Sequence, residues 1–449
     1  MVDRWSREQV LALAPDASAR AGAERAAVPG PWSGTGSHLS GGDAAVWGEC
    51  KGSGAKPYRT CVELSAPAYR CTCPSRKFPC KHVLGLLLLW AEGAVAAAEA
   101  VPDWVAEWLE GRREREARSA ARRERASAEE APSDPEAARR RARQRERRVA
   151  AGLDELDRWL RDQVRHGLAG TQRAGYQHWD AVAARMVDAQ AAAVAGVLRR
   201  LAGVPMSGEG WPGRLLEEYA LLRLLIVASR RQDELPEPLR ETVRSRVGFA
   251  VTRERVLAGA AVRDRWDVLG QRDTQEDRLR VRRVWLCGRR TGRMALVLEF
   301  AAPGQPLDAS LVIGRGVDAE LAFYPGAPGL RALVARRHAT VPPEVPRGAT
   351  VAGVLASYAA TLAEDPWLDS LPAVLGEVVP ARDLGHSRDG AWSLADPSGE
   401  AVPLHRAVGD PWRLVATSGG HPVTVAGEWT PSGLRPLTVW DAEGRAVVL

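Results

Sequence analysis

The chain has 449 residues, of which 45% are hydrophobic and 26% charged, and its formal net charge is +6. These ordinary globular values exclude a chain that is disordered throughout, and the length predicts two to four domains. The N-terminus lacks an apolar run after a basic start, and the longest apolar stretch, residues 83–101, is short for a bilayer span and carries two glutamates. We therefore expect a soluble, cytoplasmic protein with no signal peptide and no membrane partner.

Three short strands are predicted before residue 74. The sequence AAVWGECKGSGAKPYRTCVELSAPAYRCTC contains strand-forming segments separated by the turn signals GSGAKP and SAP. In the middle strand, Tyr58, Thr60, Val62 and Leu64 would share one face, and Cys61 would lie on the other. We expect these strands to form a small antiparallel meander.

Four residues of metal-binding types follow within twelve positions, at Cys71, Cys73, Cys80 and His82. Residues i and i+2 of an extended strand project to the same side, so the first two thiolates can face one ion. Two prolines bracket the intervening loop, and the apolar run VLGLLLLWAEGAVAAAEA after His82 predicts a helix. Three thiolates and an imidazole suit tetrahedral Zn²⁺ with every position filled, which favours a structural role; an iron–sulfur cluster is the alternative.

The remaining cysteines, Cys50, Cys61 and Cys287, lie outside this cluster. A reducing compartment disfavours structural disulfides, so a clustered set of cysteines there more often holds a metal ion. Isolated cysteines are usually buried, and we predict that these three are inert thiols.

The pattern Cys-x-Cys, six residues, Cys-x-His, with strands before it and a helix after it, resembles the SWIM zinc finger. The stretches WGECKGSGAKPY and CTCPSRKFPCKH look in particular like the stand-alone bacterial branch of that family. The resemblance places the zinc ligands on Cys71, Cys73, Cys80 and His82. It also implies binding to DNA or to proteins. Bacterial members of the family are associated with MoxR-type AAA ATPases and with von Willebrand A-domain proteins, which makes these the implied protein partners.

All lysines of the chain lie between residues 51 and 81. With two nearby arginines they would form a cationic rim around the zinc loop, suited to phosphates or to an acidic protein surface. The candidate partner-binding residues are Arg70, Arg76, Lys77, Lys81, Lys51 and Lys56. The alternative is solvated charge that keeps an exposed loop soluble.

Residues 111–148 contain 14 arginines and eight acidic residues, so this segment alone carries a net charge equal to that of the whole chain. Two charged helices are predicted, joined near residues 126–134, with Asp134 as a cap and Pro135 in the first turn of the second helix. Interspersed glutamates favour salt-bridged pairs on a solvated spacer, and the absence of aromatic residues argues against stacking on single-stranded nucleic acid.

The sequence from residue 153 to residue 247 has helical periodicity, with amphipathic stripes typical of a bundle. After residue 249 the sequence LRVRRVWLCG, the turn RRTGR and MALVLEFAA predict a hairpin, and ASLVIG and AELAFY are further strand candidates. VAGVLASYAATLAEDP predicts a helix. The last sixty residues, including WRLVATSGGHPVTVAGEW, predict a small β module whose tryptophans belong to its core.

The expected fold class is therefore α+β multidomain: a small ββα-type zinc finger at the N-terminus, a helical middle region and a β-rich C-terminal half. The predicted domains are a SWIM zinc-finger module, a charged, arginine-rich helical spacer, a helical bundle, a β-rich domain, and a helix followed by a small β module. They span residues 1–100, 101–168, 169–248, 249–345 and 346–449.

Catalytic signatures are lacking: the sequence has no phosphate-binding P-loop, no HExxH motif and no nucleophile elbow. We therefore predict that the protein is not an enzyme. The first hypothesis is a zinc-binding interaction protein whose finger docks a protein partner, in line with the ATPase-linked assemblies that the resemblance implies. The second is a DNA-binding protein that contacts phosphates through the rim and the arginine-rich helices.

Overall fold

The computed structural model describes the chain except residues 1–3, 15–16, 40–43, 53–55, 65–67, 76, 130–134, 173–174, 277–278, 303–304, 306, 309 and 383–390. The predictions made for Arg76 and for Asp134 as a helix cap therefore lie outside the described residues. Within the described ranges, none of the helices combines the length and the apolar character needed to cross a bilayer.

The described helices are α1 Arg7–Ala12, α2 Ala17–Ala26, α3 Lys81–Ala91, α4 Asp103–Glu129, α5 Pro135–His166, α6 Gly175–Asp188, α7 Ala192–Leu201, α8 Trp211–Arg230, α9 Glu237–Val247, α10 Arg253–Leu257, α11 Val351–Glu364 and α12 Trp412–Ser418. The described strands are β1 Trp32–His38, β2 Ala45–Cys50, β3 Tyr58–Glu63, β4 Ala68–Cys71, β5 Ala261–Glu276, β6 Leu279–Gly288, β7 Met294–Ala301, β8 Gly316–Phe323, β9 Arg331–Val341, β10 Leu371–Arg382, β11 Trp392–Ala395, β12 Ala401–Pro403, β13 Val423–Thr430, β14 Gly433–Trp440 and β15 Ala446–Val448. The α+β class expected from the sequence is confirmed.

The N-terminal module is an antiparallel meander in the order β1-β2-β3-β4, with α3 packed on one face. Val46 and Val62, which are register partners on β2 and β3, face the leucines of α3. Helices α1 and α2 also pack against α3. The predicted meander is confirmed, and the structure adds β1 as a further strand. The predicted helix is confirmed only as far as Ala91, because residues 92–100 of the apolar run are not helical.

The opposite face of this sheet is covered by the beginning of α4. Val105, Trp108 and Leu109 form an i, i+3, i+4 stripe that packs on Trp47 and Cys61. The sequence analysis assigned residues 101–168 to a solvated spacer, but the first two turns of α4 belong to the core of the zinc-finger module. The prediction missed this packing because the apolar stripe is only three residues long and is followed directly by the arginine-rich segment, whose composition dominates the region.

The helical middle region is a bundle of α5 to α9 around one apolar core. Val149, Leu153, Leu156 and Leu160 of α5 lie in that core and are at most 3% exposed. Helix α5 therefore has an arginine-rich N-terminal half and a C-terminal half that packs in the bundle. The predicted domain boundary at residue 168 is misplaced, because it assigns this C-terminal half to the spacer and not to the bundle. The arginine-rich composition ends within α5, before the helix itself ends.

Strands β5-β6-β7-β9-β8 form a closed barrel. The predicted hairpin is confirmed as β6 and β7, and AELAFY lies in β8. The prediction of a strand at ASLVIG is wrong: the described residues of this segment form a loop. Leu311 and Ile313 are buried in the barrel, whereas Val312 between them is buried in the zinc-finger module. Alternate residues thus enter two different cores, which produces a strand-like pattern without a strand.

The C-terminal sheet has the order β12-β11-β10-β13-β14-β15 and packs against the barrel through β13 and β14. The helix predicted near residue 351 is confirmed as α11. WRLVATS, which was predicted as a strand, is instead helix α12, which ends at Gly419 in a left-handed conformation. Trp429 and Trp440 are in cores, as predicted, but Trp412 is 59% exposed because α12 carries it to the surface.

Candidate metal centre

The four predicted ligands come together at the junction of β4, the zinc loop and α3. Cys71 ends β4, Cys80 is the N-cap residue of α3, and His82 lies in the first turn of that helix. The sulfur atoms of Cys71, Cys73 and Cys80 and a ring nitrogen of His82 all lie within 4.8 Å of one another. The sequence predicted this arrangement because all four residues lie in one short segment.

The spacing of the donor atoms fits tetrahedral zinc. The distance from Cys71 Sγ to His82 Nδ1 is 3.8 Å. Zinc–sulfur bonds of about 2.3 Å and zinc–nitrogen bonds of about 2.0 Å in a tetrahedral shell place neighbouring donor atoms roughly 3.5–3.8 Å apart. The donor set is therefore already close to the geometry that the ion requires, and a shell of four protein ligands leaves no position for an activated water.

Neighbouring side chains orient the ligands. Thr60 Oγ1 lies 3.3 Å from the sulfur of Cys71, its register partner across β3 and β4. The ring of Tyr58 packs on the imidazole of His82, with 5.1 Å between the ring centroids. Because Cys80 is 1% and His82 7% exposed, water has little access to these two ligands. Such outer contacts restrict the ligand rotamers and support the binding of a metal ion.

The protonation of the thiols is strongly coupled. A hydrogen bond with Cys80, opposed by burial and assisted by His82 and Thr60, lowers the pKa of the Cys71 thiol to about 3. The same hydrogen bond, together with burial, raises the pKa of Cys80, and burial raises the pKa of Cys73. The cluster thus favours one thiolate, and a bound cation displaces the protons of the other thiols.

The other three cysteines have environments that suppress thiolate formation. Cys50 and Cys61 are buried and Cys287 is half-buried. Burial raises the pKa of all three thiols, to about 11 for Cys287, and the nearby charge of Cys71 further raises that of Cys50. A thiol held in its protonated form is a poor nucleophile and a poor metal ligand.

Comparison with known families identifies two segments. Residues 61–91 match the SWIM zinc finger, and residues 144–247 match the SWIM-associated four-helix bundle domain. The chain contains a SWIM zinc finger and the four-helix bundle domain associated with it. Its Cys3His cluster is positioned to bind a zinc ion. The bundle match begins inside α5, in agreement with the packing of that helix. No curated protein and no solved structure gives a significant match to the chain.

The SWIM finger has a groove beside the zinc ligands, which we call the cationic groove. It encloses about 570 Å³ between α2, the zinc loop and the N-terminus of α3, and Cys73 and His82 are part of its wall. Lys51, Lys77 and Lys81 line it, as the predicted rim required, and none of its described lining residues is acidic. The ammonium group of Lys77 donates a hydrogen bond to the hydroxyl of Ser18.

Of the predicted rim residues that the structure describes, Lys51, Lys77 and Lys81 line the cationic groove, and Lys56 and Arg70 do not. Lys56 is exposed in the loop between β2 and β3 and does not line the cationic groove. Arg70 is the register partner of Cys61 and lies on the sheet face away from the groove. The groove instead includes Arg25, from the last turn of α2, which the sequence analysis did not select. Arg25 is 26 residues from the nearest groove lysine along the chain, so only the packing of α2 on α3 brings them together.

The packing of α2 on α3 depends on a close approach at Gly85. A Cβ atom added there would lie 2.8 Å from Cβ of Ala26 and 3.1 Å from its carbonyl carbon. We expect Gly85→Ala to displace α2 and to lower the free energy of unfolding by about 1–3 kcal/mol, partly offset by the better helix propensity of alanine. Urea unfolding monitored by circular dichroism measures this change.

The control for that substitution is Gly213→Ala in α8, where an added Cβ atom would have no neighbour within 4 Å. It should leave stability unchanged or raise it slightly. Equal effects of the two substitutions would contradict the role given to the contact between Gly85 and Ala26.

Proposed function

We propose that the SWIM finger is a zinc-stabilised docking module whose cationic groove binds an acidic segment of a protein partner. The observation that supports this proposal is the lining of the groove: Arg25, Lys51, Lys77 and Lys81 converge, and the lining residues that the structure describes include no carboxylate. Zinc with four protein ligands supplies rigidity rather than chemistry, so the proposal includes no catalytic activity. Cations in a concave site attract an anionic ligand more strongly than the same cations on a flat surface.

The shape of the groove supports a peptide ligand over duplex DNA. Its walls are α2, the zinc loop and the N-terminus of α3, whereas a DNA-reading module presents a helix or a ribbon to the major groove and contacts phosphates along an extended track. Carboxylate side chains on an extended or turning segment can enter between α2 and the zinc loop. An acidic protein segment therefore matches both the charge and the size of the site.

We further propose that the partner belongs to a MoxR-type AAA ATPase assembly, either the ATPase itself or a von Willebrand A-domain protein. This part of the proposal rests on the resemblance to bacterial SWIM proteins. Cytoplasmic localisation is proposed with it, because a Cys3His site needs reduced thiols to bind zinc.

The proposal is tested by capturing partners from native lysate with and without nuclease treatment. The variant Lys51→Glu/Lys77→Glu reverses two charges of the cationic groove, and Lys56→Glu reverses an exposed charge outside it. We expect the intact protein and Lys56→Glu to retain the same protein partner, and the double variant to bind it at least about tenfold more weakly. Zinc content, measured on all three proteins, should stay at one ion per chain.

Unchanged binding by the double variant would show that the cationic groove is not the docking site. Recovery of nucleic acid alone, lost after nuclease treatment, would favour the DNA-binding alternative. That alternative has one supporting observation, the arginine-rich helices α4 and α5, although Arg118 and Arg140 pair there with Glu114 and Glu136 one turn earlier. It also predicts a steep fall of affinity with rising salt.

A further inference from the structure

The SWIM-associated bundle has an apolar groove of its own, between the C-terminal half of α5 and the middle of α8. We call it the bundle groove. It encloses about 640 Å³, and its apolar lining includes Leu160, Val164, Leu216, Tyr219, Leu224 and Val227. Val164, Leu216 and Leu224 are 50%, 49% and 43% exposed. Large apolar side chains clustered around a concave surface are typical of a protein-binding site.

A buried polar group in this groove lacks a partner. Tyr219 is 2% exposed, and its hydroxyl makes no hydrogen bond within the part of the chain that the structure describes. The rings of Trp159 and Trp179, whose centroids lie 5.9 and 6.2 Å away, pack against its ring. An unsatisfied buried hydroxyl carries a desolvation cost, and because this oxygen is closed off from the surface it does not reach a ligand in the groove.

Arginines line the edge of the bundle groove. Arg161, Arg165 and Arg223 are part of the lining, and no acidic residue is found among the lining residues in the described part of the chain. The nearest buried carboxylate, Asp157, is 4% exposed and is shared between Arg161, Arg223 and Arg230. Burial opposes its ionisation, but these guanidinium groups outweigh that effect and hold the pKa of Asp157 below its usual range. The groove therefore keeps an excess of positive charge at neutral pH.

We propose that the bundle groove binds an amphipathic helix of a protein partner, with apolar residues on one face and acidic residues beside them. The lining residues 216–227 of α8 span roughly 16 Å, which corresponds to about three helical turns of the partner. Leucine-like side chains of that helix cover Leu216 and Leu224, and its carboxylates pair with the arginines. This inference does not depend on the function proposed for the zinc finger.

Two other occupants fit less well. A second copy of the same face would bring Arg161, Arg165 and Arg223 against their own counterparts, and like charges in a desolvated contact are unfavourable. A membrane surface is flat, whereas the apolar residues here line a groove between two helices. A helix laid in a groove is a recurrent mode of recognition that uses i, i+3, i+4 and i+7 anchors.

The test is selection of displayed helical peptides by the full-length, zinc-loaded protein. The library fixes a leucine stripe at i, i+4, i+7 and i+11 and varies the flanking positions among Glu, Gln and Lys. We expect enrichment of Glu at the flanking positions, and a fluorescein-labelled winner should bind the protein in an anisotropy titration. Enrichment of Lys, or no enrichment, would overturn the proposal.

Matched variants locate the site. Leu216→Glu places a carboxylate in the bundle groove, and Met206→Glu makes a similar change at a residue that is 74% exposed and outside the groove. We expect the first variant to weaken binding of the selected peptide at least about tenfold and the second to leave it unchanged. Both should keep the thermal stability of the intact protein, since both sites are half-exposed or more.

The remaining outcomes are distinguishable. Leu216-dependent sedimentation with phosphatidylcholine–phosphatidylserine vesicles, or a Leu216-dependent dimer in light scattering, would overturn the helix as occupant. The Lys51→Glu/Lys77→Glu variant should bind the selected peptide like the intact protein. The proposal for the bundle groove is thus tested by Leu216→Glu and the proposal for the cationic groove by Lys51→Glu/Lys77→Glu, so either one can be contradicted without the other.

Discussion

Cys80→Ser is expected to release the zinc ion and to unfold the N-terminal module. Cys80 is 1% exposed and is the N-cap of α3, whose residues 82–90 are all buried in the module. Structural zinc contributes about 10–16 kcal/mol of apparent binding free energy in zinc-finger peptides, which matches or exceeds the total stability of about 5–15 kcal/mol of a typical domain. A serine hydroxyl is not a thiolate and does not replace this ligand.

The measurements are zinc content per chain by mass spectrometry and thermal unfolding by calorimetry. The intact protein should carry one zinc ion, and the variant should carry much less and lose the unfolding transition of the module. The bundle helices should stay folded, because their core consists of residues outside the finger. The control is Cys287→Ser, which changes a half-buried thiol of the barrel. Stoichiometric zinc and full stability in Cys80→Ser would show that the ligand set is wrong.

Glu428→Gln is expected to destabilise the junction between the barrel and the C-terminal sheet by about 3–5 kcal/mol. Glu428 on β13 is fully buried and accepts a hydrogen bond from Trp285 Nε1 at 2.9 Å. Three arginines converge on its carboxylate, Arg272 at 2.7 Å, Arg283 at 3.2 Å and Arg435 at 3.5 Å. Glutamine has nearly the same shape, so the loss is electrostatic: three guanidinium groups remain without their counter-charge.

The pH dependence of this variant follows from the pKa of Glu428. Burial opposes its ionisation, but Trp285 and the arginines, Arg272 foremost, outweigh burial and hold the pKa of the carboxyl below its usual range. A depressed folded-state pKa stabilises the protein above the unfolded-state pKa of about 4.3, and this stabilisation is lost as pH falls through the folded-state value. The difference between the intact protein and Glu428→Gln should therefore be largest at neutral pH and shrink below about pH 5.

Urea unfolding at pH 7 and at acidic pH measures that difference. The control is Glu443→Gln, at a carboxylate that is 64% exposed and pairs with Arg445 in the turn between β14 and β15, where less than about 0.5 kcal/mol is expected. A constant difference between the intact protein and Glu428→Gln across this pH range would contradict an ionised Glu428 in the folded state.

Local segments were predicted well because their signals are local. The zinc ligands lie within twelve positions, and β6 and β7 are joined by a short turn, so neighbouring residues suffice to predict both. The segment around Val312 failed for the opposite reason. Its side chains alternate between the barrel core and the zinc-finger core, and a pattern read along one segment cannot distinguish two cores from two faces of a sheet.

The sequence by itself determined the zinc site, the SWIM family and the α+β composition of this protein, because ligand types, their spacing and the period of apolar residues are carried by contiguous residues. Only the tertiary structure decided which cations meet at the zinc finger, since Arg25 arrives there through the packing of α2 on α3. It also decided that α4 packs on one face of the zinc-finger sheet and that Glu428 forms ion pairs with arginines from β5, β6 and β14. These contacts join residues distant along the chain, and the free energy of burial that selects them depends on the whole fold.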